Sequence, residues 1–400
     1  MSKKLTILIS LILALDCALL LFLGTSYSKY LLIHPFVYIH DIVLITLLIL
    51  CIFFHKFSIR IKSVEVLFSI AILYLIASLF NTNLESLHFV LRQFMVFGYG
   101  IVIYFIIISI FNVKEVEKNS IIFFKYFGFI CLITQVIYIF YLLIVNNINP
   151  FFERYYYAPI LILGLFIALG YGLVVIKNTL LKHLYVFLIF IISFSIGHDS
   201  VYLSLLIVYI SYIFLYLKRK QRFILLGSLI LIVISLFIYF PSFSDVNVQW
   251  RLIFWKDSLI KITNNYFIFG EGFGVPYAST ETVEKLNALF PNTEYSPLIK
   301  GETIFLTTPH NSFLTMAIHI GLASFILLIY PLKKLLFYKN LIMDEEILFL
   351  SLSLLGMFVV SCFNVILELP HSSSLFWIVY FVLILKLLGK SESPLHKKKF

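Results

Sequence analysis

The chain has 400 residues, 62% of them hydrophobic and only 12% charged, with a mean hydropathy of +1.04. No water-soluble core could bury that much apolar surface, so the bilayer is the solvent for most of the chain and residues 1–400 read as a single membrane domain. The net charge of +10 would suit a nucleic-acid surface, but the lysines and arginines fall in the breaks between apolar runs, which marks them as topology determinants and excludes a nucleic-acid partner.

Apolar runs of spanning length predict an all-α polytopic protein of about twelve transmembrane helices with one long, partly helical external loop. The runs lie near 5–24, 36–54, 64–80, 93–111, 120–145, 158–176, 184–196, 201–217, 223–240, 313–330, 347–366 and 375–389. Leu5 to Gly24 has the basic start of a secretory signal, but it is long enough to span and no small-residue cleavage pattern follows. With the N-terminus inside, alternate gaps hold basic clusters such as Lys3-Lys4, Lys114 with Lys118, Lys218 to Arg222 and Lys397 to Lys399. The opposite short gaps hold only Lys29, Arg92 and Arg154. This imbalance predicts cytoplasmic termini and an external loop at 241–312. Cys17, Cys51, Cys131 and Cys362 all fall within predicted spans without metal-ligand spacing, so packing rather than disulfides must hold that loop.

Polar residues inside the apolar runs are costly and informative. Asp16 in the first span reads as a polar contact within the bundle, while His40 and Asp41, near the outer end of the second, could frame an outward cavity. Arg92 and Gln93 open the fourth span, where Arg92 taken alone reads as an arginine snorkelling to the headgroups. Arg154 lies among Phe151, Phe152, Tyr155, Tyr156 and Tyr157, a setting that suits an interfacial aromatic belt or a phosphate held beside a lipid tail. His198 and Asp199 occupy the outer turn before the eighth span, and as neighbours they do not face one another as an acid–base pair.

The long loop predicts an amphipathic helix on the membrane face from about Val246 to Ile262, with Arg251 and Trp255 four apart on one side. FIFGEGFG at 267–274 reads as a glycine-punctuated turn, in which Gly270, Gly272 and Gly274 serve backbone geometry and Glu271 is solvated. Glu281 to Leu289 predicts a second short helix stopped by Pro291, after which the chain returns through Thr307 to Pro309 to reach His310. There is no P-loop, dinucleotide fingerprint, HExxH or GxSxG.

RLIFWKDS at 251–258, FIFGEGFG at 267–274, PHNSFL at 309–314 with Gly321 after it, and the plan of about a dozen helices with a late outer loop together resemble the O-antigen ligase and O-antigen polymerase family of bacterial membrane glycosyltransferases. The resemblance implies a C-type architecture in the bacterial inner membrane. It implies a metal-independent enzyme that takes a saccharide from undecaprenyl diphosphate at the outer face and passes it to a hydroxyl, with no cofactor and no nucleotide sugar. The acceptor would be another lipid-linked glycan in a polymerase, the favoured reading, or lipid A–core in a ligase. A chain-length regulator, a flippase and membrane lipids are the further expected partners. Arg251 matches the family's loop arginine and His310 the family histidine, so these two carry the expected catalysis: a bidentate cation for the diphosphate and a base for the acceptor hydroxyl. Asn311 beside His310, and Trp255, which also suits an interfacial anchor, complete the expected substrate surface. The family commonly carries an arginine in the turn before the eighth span, where this chain reads IGHDS. His198 or Asp199 then stands in its place, and Arg92 or Arg154 would supply the charge. A flippase or secondary transporter is the rival from another class, but no internal repeat is visible and the polar residues gather at the outer face.

Overall fold

The computed structural model describes residues 3–23, 38–54, 60–82, 86–111, 114–149, 159–196, 198–218, 220–223, 246–264, 268–290, 308–338 and 340–391. Among them it is all-helical, with fourteen α-helices. In chain order these are α1 (Lys3–Leu23), α2 (Ile39–Phe54), α3 (Lys62–Phe80), α4 (Leu87–Ile110), α5 (Lys114–Ile144), α6 (Pro159–Val175), α7 (Thr179–Phe194), α8 (Asp199–Tyr216), α9 (Val246–Asn264), α10 (Thr280–Leu289), α11 (Ser312–Ile320), α12 (Phe325–Leu336), α13 (Glu345–Ser361) and α14 (Pro370–Ser391).

Among the described residues, seven segments are long and apolar enough to cross a membrane: α1, α3, α4, α5, α8, α14 and the combined Ser312–Leu336. Three shorter helices, α2, α6 and α7, are apolar as well. Every predicted span coincides with a helix except 223–240, which lies outside the described residues.

The bundle centre is built where small residues let helices approach closely. A Cβ on Gly128 of α5 would stand 2.8 Å from the Ala168 nitrogen of α6, and one on Gly170 would stand 2.7 Å from Ser353 Oγ of α13. Trp377 of α14 packs over Gly100 of α4, where a Cβ would be 2.8 Å from its ring. With no water to hydrogen-bond, each broken backbone bond needs a protein partner. Pro331 in α12 has no N–H for the Leu327 carbonyl, and the Tyr380 hydroxyl of α14 donates to it at 2.7 Å.

Three predicted elements are corrected. The fourth span begins at Leu87, so Arg92 and Gln93 sit in its second turn rather than at its mouth. The eleventh ends at Ser361, because residues 362–369 fold over the start of α11. The tenth is broken: α11 ends at Gly321, whose φ is +63°, and a 3₁₀ turn at Gly321–Ser324 precedes α12. At this break the Ile318 and His319 carbonyls accept from the Glu271 and Gly272 amides of the outer loop, at 2.7 and 2.9 Å.

Candidate functional site

The outer loop is docked, not draped. Trp250, Phe254 and Ile262 on one side of α9 form a buried cluster with Tyr277, Leu286, Ala317 and Ile318, which joins α9 to α10 and α11. Leu252, Leu259 and Ile260 lie exposed on its other side, the amphipathic pattern expected of a surface helix. Asp257 accepts from both the backbone N–H and the hydroxyl of Ser279, each at 2.9 Å, and so ties α9 to the N-cap of α10. Lys261 reaches the Pro276 carbonyl at 2.9 Å and Glu271 at 3.4 Å. Glu271 is therefore a half-buried ion-pair partner and not the solvated turn residue expected from sequence.

The glycine turn is threaded between α3, α4 and α11. Gly270, Gly272 and Gly274 have φ values of +69°, +83° and +83°, a region L side chains avoid. Gly270 and Gly321 pass so closely that a Cβ on either would lie 2.5 Å from the backbone of the other segment. Gln93 brackets the turn, accepting from the Gly274 N–H at 2.6 Å and donating to the Val275 carbonyl at 2.7 Å. Ser78 Oγ accepts from the Phe273 N–H at 2.9 Å. His319 braces the inner side through the Gly272 carbonyl at 2.7 Å and the Tyr277 hydroxyl at 3.1 Å. The turn thus spends its amides on protein partners and delivers Tyr277 to the site.

His310 is held from both sides in a left-handed conformation with φ +51°, a geometry that non-glycine residues adopt where their surroundings impose it. Before it, the Pro309 carbonyl accepts from Trp255 Nε1 at 2.6 Å. After it, Asn311 Oδ1 accepts from the Phe313 and Leu314 amides, both at 3.1 Å, and caps α11. Asn311 and Trp255, expected as substrate ligands, therefore spend these groups on fixing the backbone around His310. The Trp250 ring meets the His310 imidazole edge-on at 5.1 Å, which sets His310 against the same turn of α9 that carries Arg251.

Arg251 is also close to His198, the N-cap residue of α8. Burial and the Arg251 charge together hold the His198 pKa below its ordinary value, with Asp199 opposing. His198 is accordingly a neutral imidazole beside a guanidinium, not a second cation. Arg154 lies outside the described residues.

Arg92 does not snorkel. Its guanidinium lies over the Tyr38 ring at 5.1 Å and close to the Tyr99 side chain, with Nη1 buried and without a hydrogen-bond partner. Nor do His40 and Asp41 frame an open cavity: both are buried, His40 in ion-pair contact with Asp16 at 2.6 Å and hydrogen-bonded to Ser374 at 2.9 Å, Asp41 accepting from the Tyr99 hydroxyl at 2.9 Å. Asp16 makes the intrabundle contact expected of it.

Sequence reasoning missed Glu368. It lies between α13 and α14, partly buried, and shares a short hydrogen bond with Ser312 Oγ at the start of α11. Ser312 Oγ in turn accepts from the Ile366 and Leu367 amides at 3.0 and 3.1 Å. Burial pushes the Glu368 carboxyl above the ordinary range, while bonds from Ser312, Thr315 and the backbone pull the other way. Its Oε1 is buried without a hydrogen-bond partner. Tyr277 feels both Glu368 and Arg92, and burial first, then Glu368, raises its phenol far above the ordinary value. An acidic residue within VILELP was the available signal, because acids in apolar segments are rare and functional.

Among the described residues no group of three or more His, Cys, Asp and Glu side chains is arranged to hold a metal ion. The site therefore offers permanent cations, a held imidazole and a buried carboxyl at one end of a helical bundle.

A profile of the family O-Antigen ligase matches residues 184–329, which run from α7 through α9, the glycine turn and His310 into α12. No curated protein matches the sequence. Arg92, Asp41 and Glu368 fall outside the matched stretch. Residues 184–329 of this multi-pass membrane protein are thus similar to the O-antigen ligase family.

Proposed function

We propose that the protein polymerises undecaprenyl-diphosphate-linked oligosaccharide repeat units of O-antigen or another surface polysaccharide at the outer face of the bacterial inner membrane. The carrying observation is that α9 presents Arg251 and, through Trp250 and Trp255, fixes His310 at the same place. In the reaction, an acceptor hydroxyl attacks the anomeric carbon of the donor saccharide. The bond from that carbon to the diphosphate oxygen breaks, a glycosidic bond forms, and the hydroxyl proton passes to neutral His310. The leaving diphosphate is already activated, so the protein's task is positioning and stabilisation of the negative charge it gathers. Arg251 and Arg92 supply permanently charged, bidentate donors for that charge, which requires no metal. Neutral His198 fills the place of the family arginine and donates a hydrogen bond without adding repulsion beside Arg251.

An apolar cleft of about 540 Å³ between α3 and the α11–α12 break, lined by Leu73, Tyr74, Ile268, Phe269, Ile320 and Ala323, suits the prenyl tail. The glycine turn leads from it towards Gln93 and Arg92. In this reading the shorter helices α2, α6, α7 and α13 also cross, as does 223–240, giving about twelve spans with both termini cytoplasmic. At 16 or 17 residues these helices rise about 24–26 Å, near the ~30 Å hydrocarbon thickness.

Reconstitution in vesicles with an undecaprenyl-diphosphate-linked repeat unit tests the proposal. A ladder of lengthened lipid-linked products is expected. Transfer only when lipid A–core is supplied would make the protein a ligase instead. No transfer to either acceptor would overturn the reading.

A further inference from the structure

We infer that Asp41 and Tyr99 position Arg92 to grip a lipid-linked diphosphate, acting through a phenol instead of by a direct ion pair. The inference rests on the reading that this protein handles such a donor. Arg92 and Tyr99 are seven residues apart on α4, two turns along one face. The Tyr99 hydroxyl donates to Asp41 Oδ1 at 2.9 Å, and its oxygen is left to accept from the Arg92 guanidinium. Asp41 Oδ2 accepts from the Tyr38 N–H at 3.0 Å, which fixes the residue whose ring lies under that guanidinium. One carboxylate therefore sets both surfaces that Arg92 rests on.

The indirectness matters. No carboxylate among the described residues forms an ion pair with Arg92. A direct pair would neutralise the cation and occupy its fork, and in a buried setting such a pair competes with any other anion. With Tyr99 interposed, Asp41 compensates the buried charge from a distance and orients one edge of the guanidinium. Arg92 Nη1 is buried and without a hydrogen-bond partner. That is the arrangement for a fork awaiting phosphate oxygens.

The brace is itself immobilised. His40 packs against Tyr99 with ring centroids 6.1 Å apart, and is locked by Asp16 and Ser374. Asp41 and Tyr99 have 8% and 0% of their surface exposed. Neither touches the donor in this proposal, so both are positioning residues.

The test is binding of undecaprenyl diphosphate, undecaprenyl monophosphate and phosphatidylglycerol to the full chain in nanodiscs, for wild type, Tyr99→Phe, Asp41→Asn and Arg92→Ala. Tyr99→Phe keeps the ring and loses only the hydroxyl. It should weaken diphosphate binding about tenfold, the scale of one charge-assisted hydrogen bond, while the apo melting temperature falls only by the loss of the buried Tyr99–Asp41 hydrogen bond. The preference for diphosphate over monophosphate should fall with it, a readout that general loosening of the bundle would not move. Asp41→Asn keeps the acceptor oxygen but not the charge and should weaken the diphosphate less than Tyr99→Phe. Undiminished diphosphate binding in Tyr99→Phe while Arg92→Ala loses it would overturn the inference. So would an equal loss for phosphatidylglycerol, which would make an ordinary phospholipid headgroup the ligand. Diphosphate binding that follows the expected order in a protein that transfers no sugar would sustain the inference and sink the proposed function. Absence of diphosphate binding in wild type would sink both.

Discussion

The Trp255 indole donates to the Pro309 carbonyl at 2.6 Å across 54 positions of sequence. It thereby fixes the peptide that enters His310, while the Trp255 ring lies 5.8 Å from Phe363. An aromatic that reads in sequence as a membrane anchor works here as a strut between the loop helix and the candidate base.

Trp255→Phe should keep the packing against Phe363 and lose the strut. Misplacement of a catalytic group by about 1 Å costs on the order of a hundredfold. The expected result is a fall in turnover of about ten- to a hundredfold with near-normal abundance in the membrane, read in the vesicle assay. Wild-type turnover would return Trp255 to the role of a lipid anchor.

Arg251→Lys keeps the charge but loses the bidentate fork, and should stay badly impaired. If Arg251 served only to anchor the loop in the headgroups, Lys would replace it almost freely. His310→Gln can still hydrogen-bond but cannot take the proton, so transfer should drop by roughly a hundred- to ten-thousand-fold. Both variants need quantitation in the membrane, because loss of the docked loop would mimic loss of chemistry.

Glu368 predicts a pH signature. Its folded pKa is raised by burial, so the folded state retains a proton that the unfolded chain releases. The associated stability is present below the unfolded value of about 4.3 and is lost as pH rises through the folded value. Glu368→Gln mimics the protonated carboxyl and should flatten that decline in melting temperature above the ordinary carboxylate range. An identical slope in variant and wild type would show that Glu368 is ionised in the folded protein.

Gly270→Ala places a Cβ 2.5 Å from the Gly321 nitrogen at a φ of +69°. Positive φ alone costs an L residue about 1–2 kcal/mol, and the contact with backbone cannot be relieved by a side-chain rotation. Membrane abundance and protease resistance of the outer loop should both fall. Gly389→Ala, with nothing within 4 Å of its Cβ, should change neither.

Reporter fusions after Arg222 and Lys339 should read cytoplasmic, and fusions near Thr280 external. A cytoplasmic reading at Thr280 would place the loop on the wrong face for a lipid-linked donor presented outside.

Span positions, the docked helices of the loop and the special role of the glycines were legible in the sequence, because apolar run length, helical periodicity, capping residues and the need for positive φ are local properties. The RLIFWKDS and PHNSFL stretches likewise pointed to Arg251 and His310. What only the tertiary structure decided was which group each polar side chain spends itself on. Asn311 reads locally as either ligand or cap, and the free amides of α11 make it a cap. Arg92 reads as a snorkelling residue until Tyr38 and Tyr99 offer it a buried seat. The break after Ile320 depends on Glu271 and Gly272 supplying amides from 47 residues away, and Glu368 joins the site only because residues 362–369 fold over Ser312. In a bilayer every buried polar group must find a partner within the protein, and that partner is fixed by which helices touch, a property that no local stretch of sequence contains.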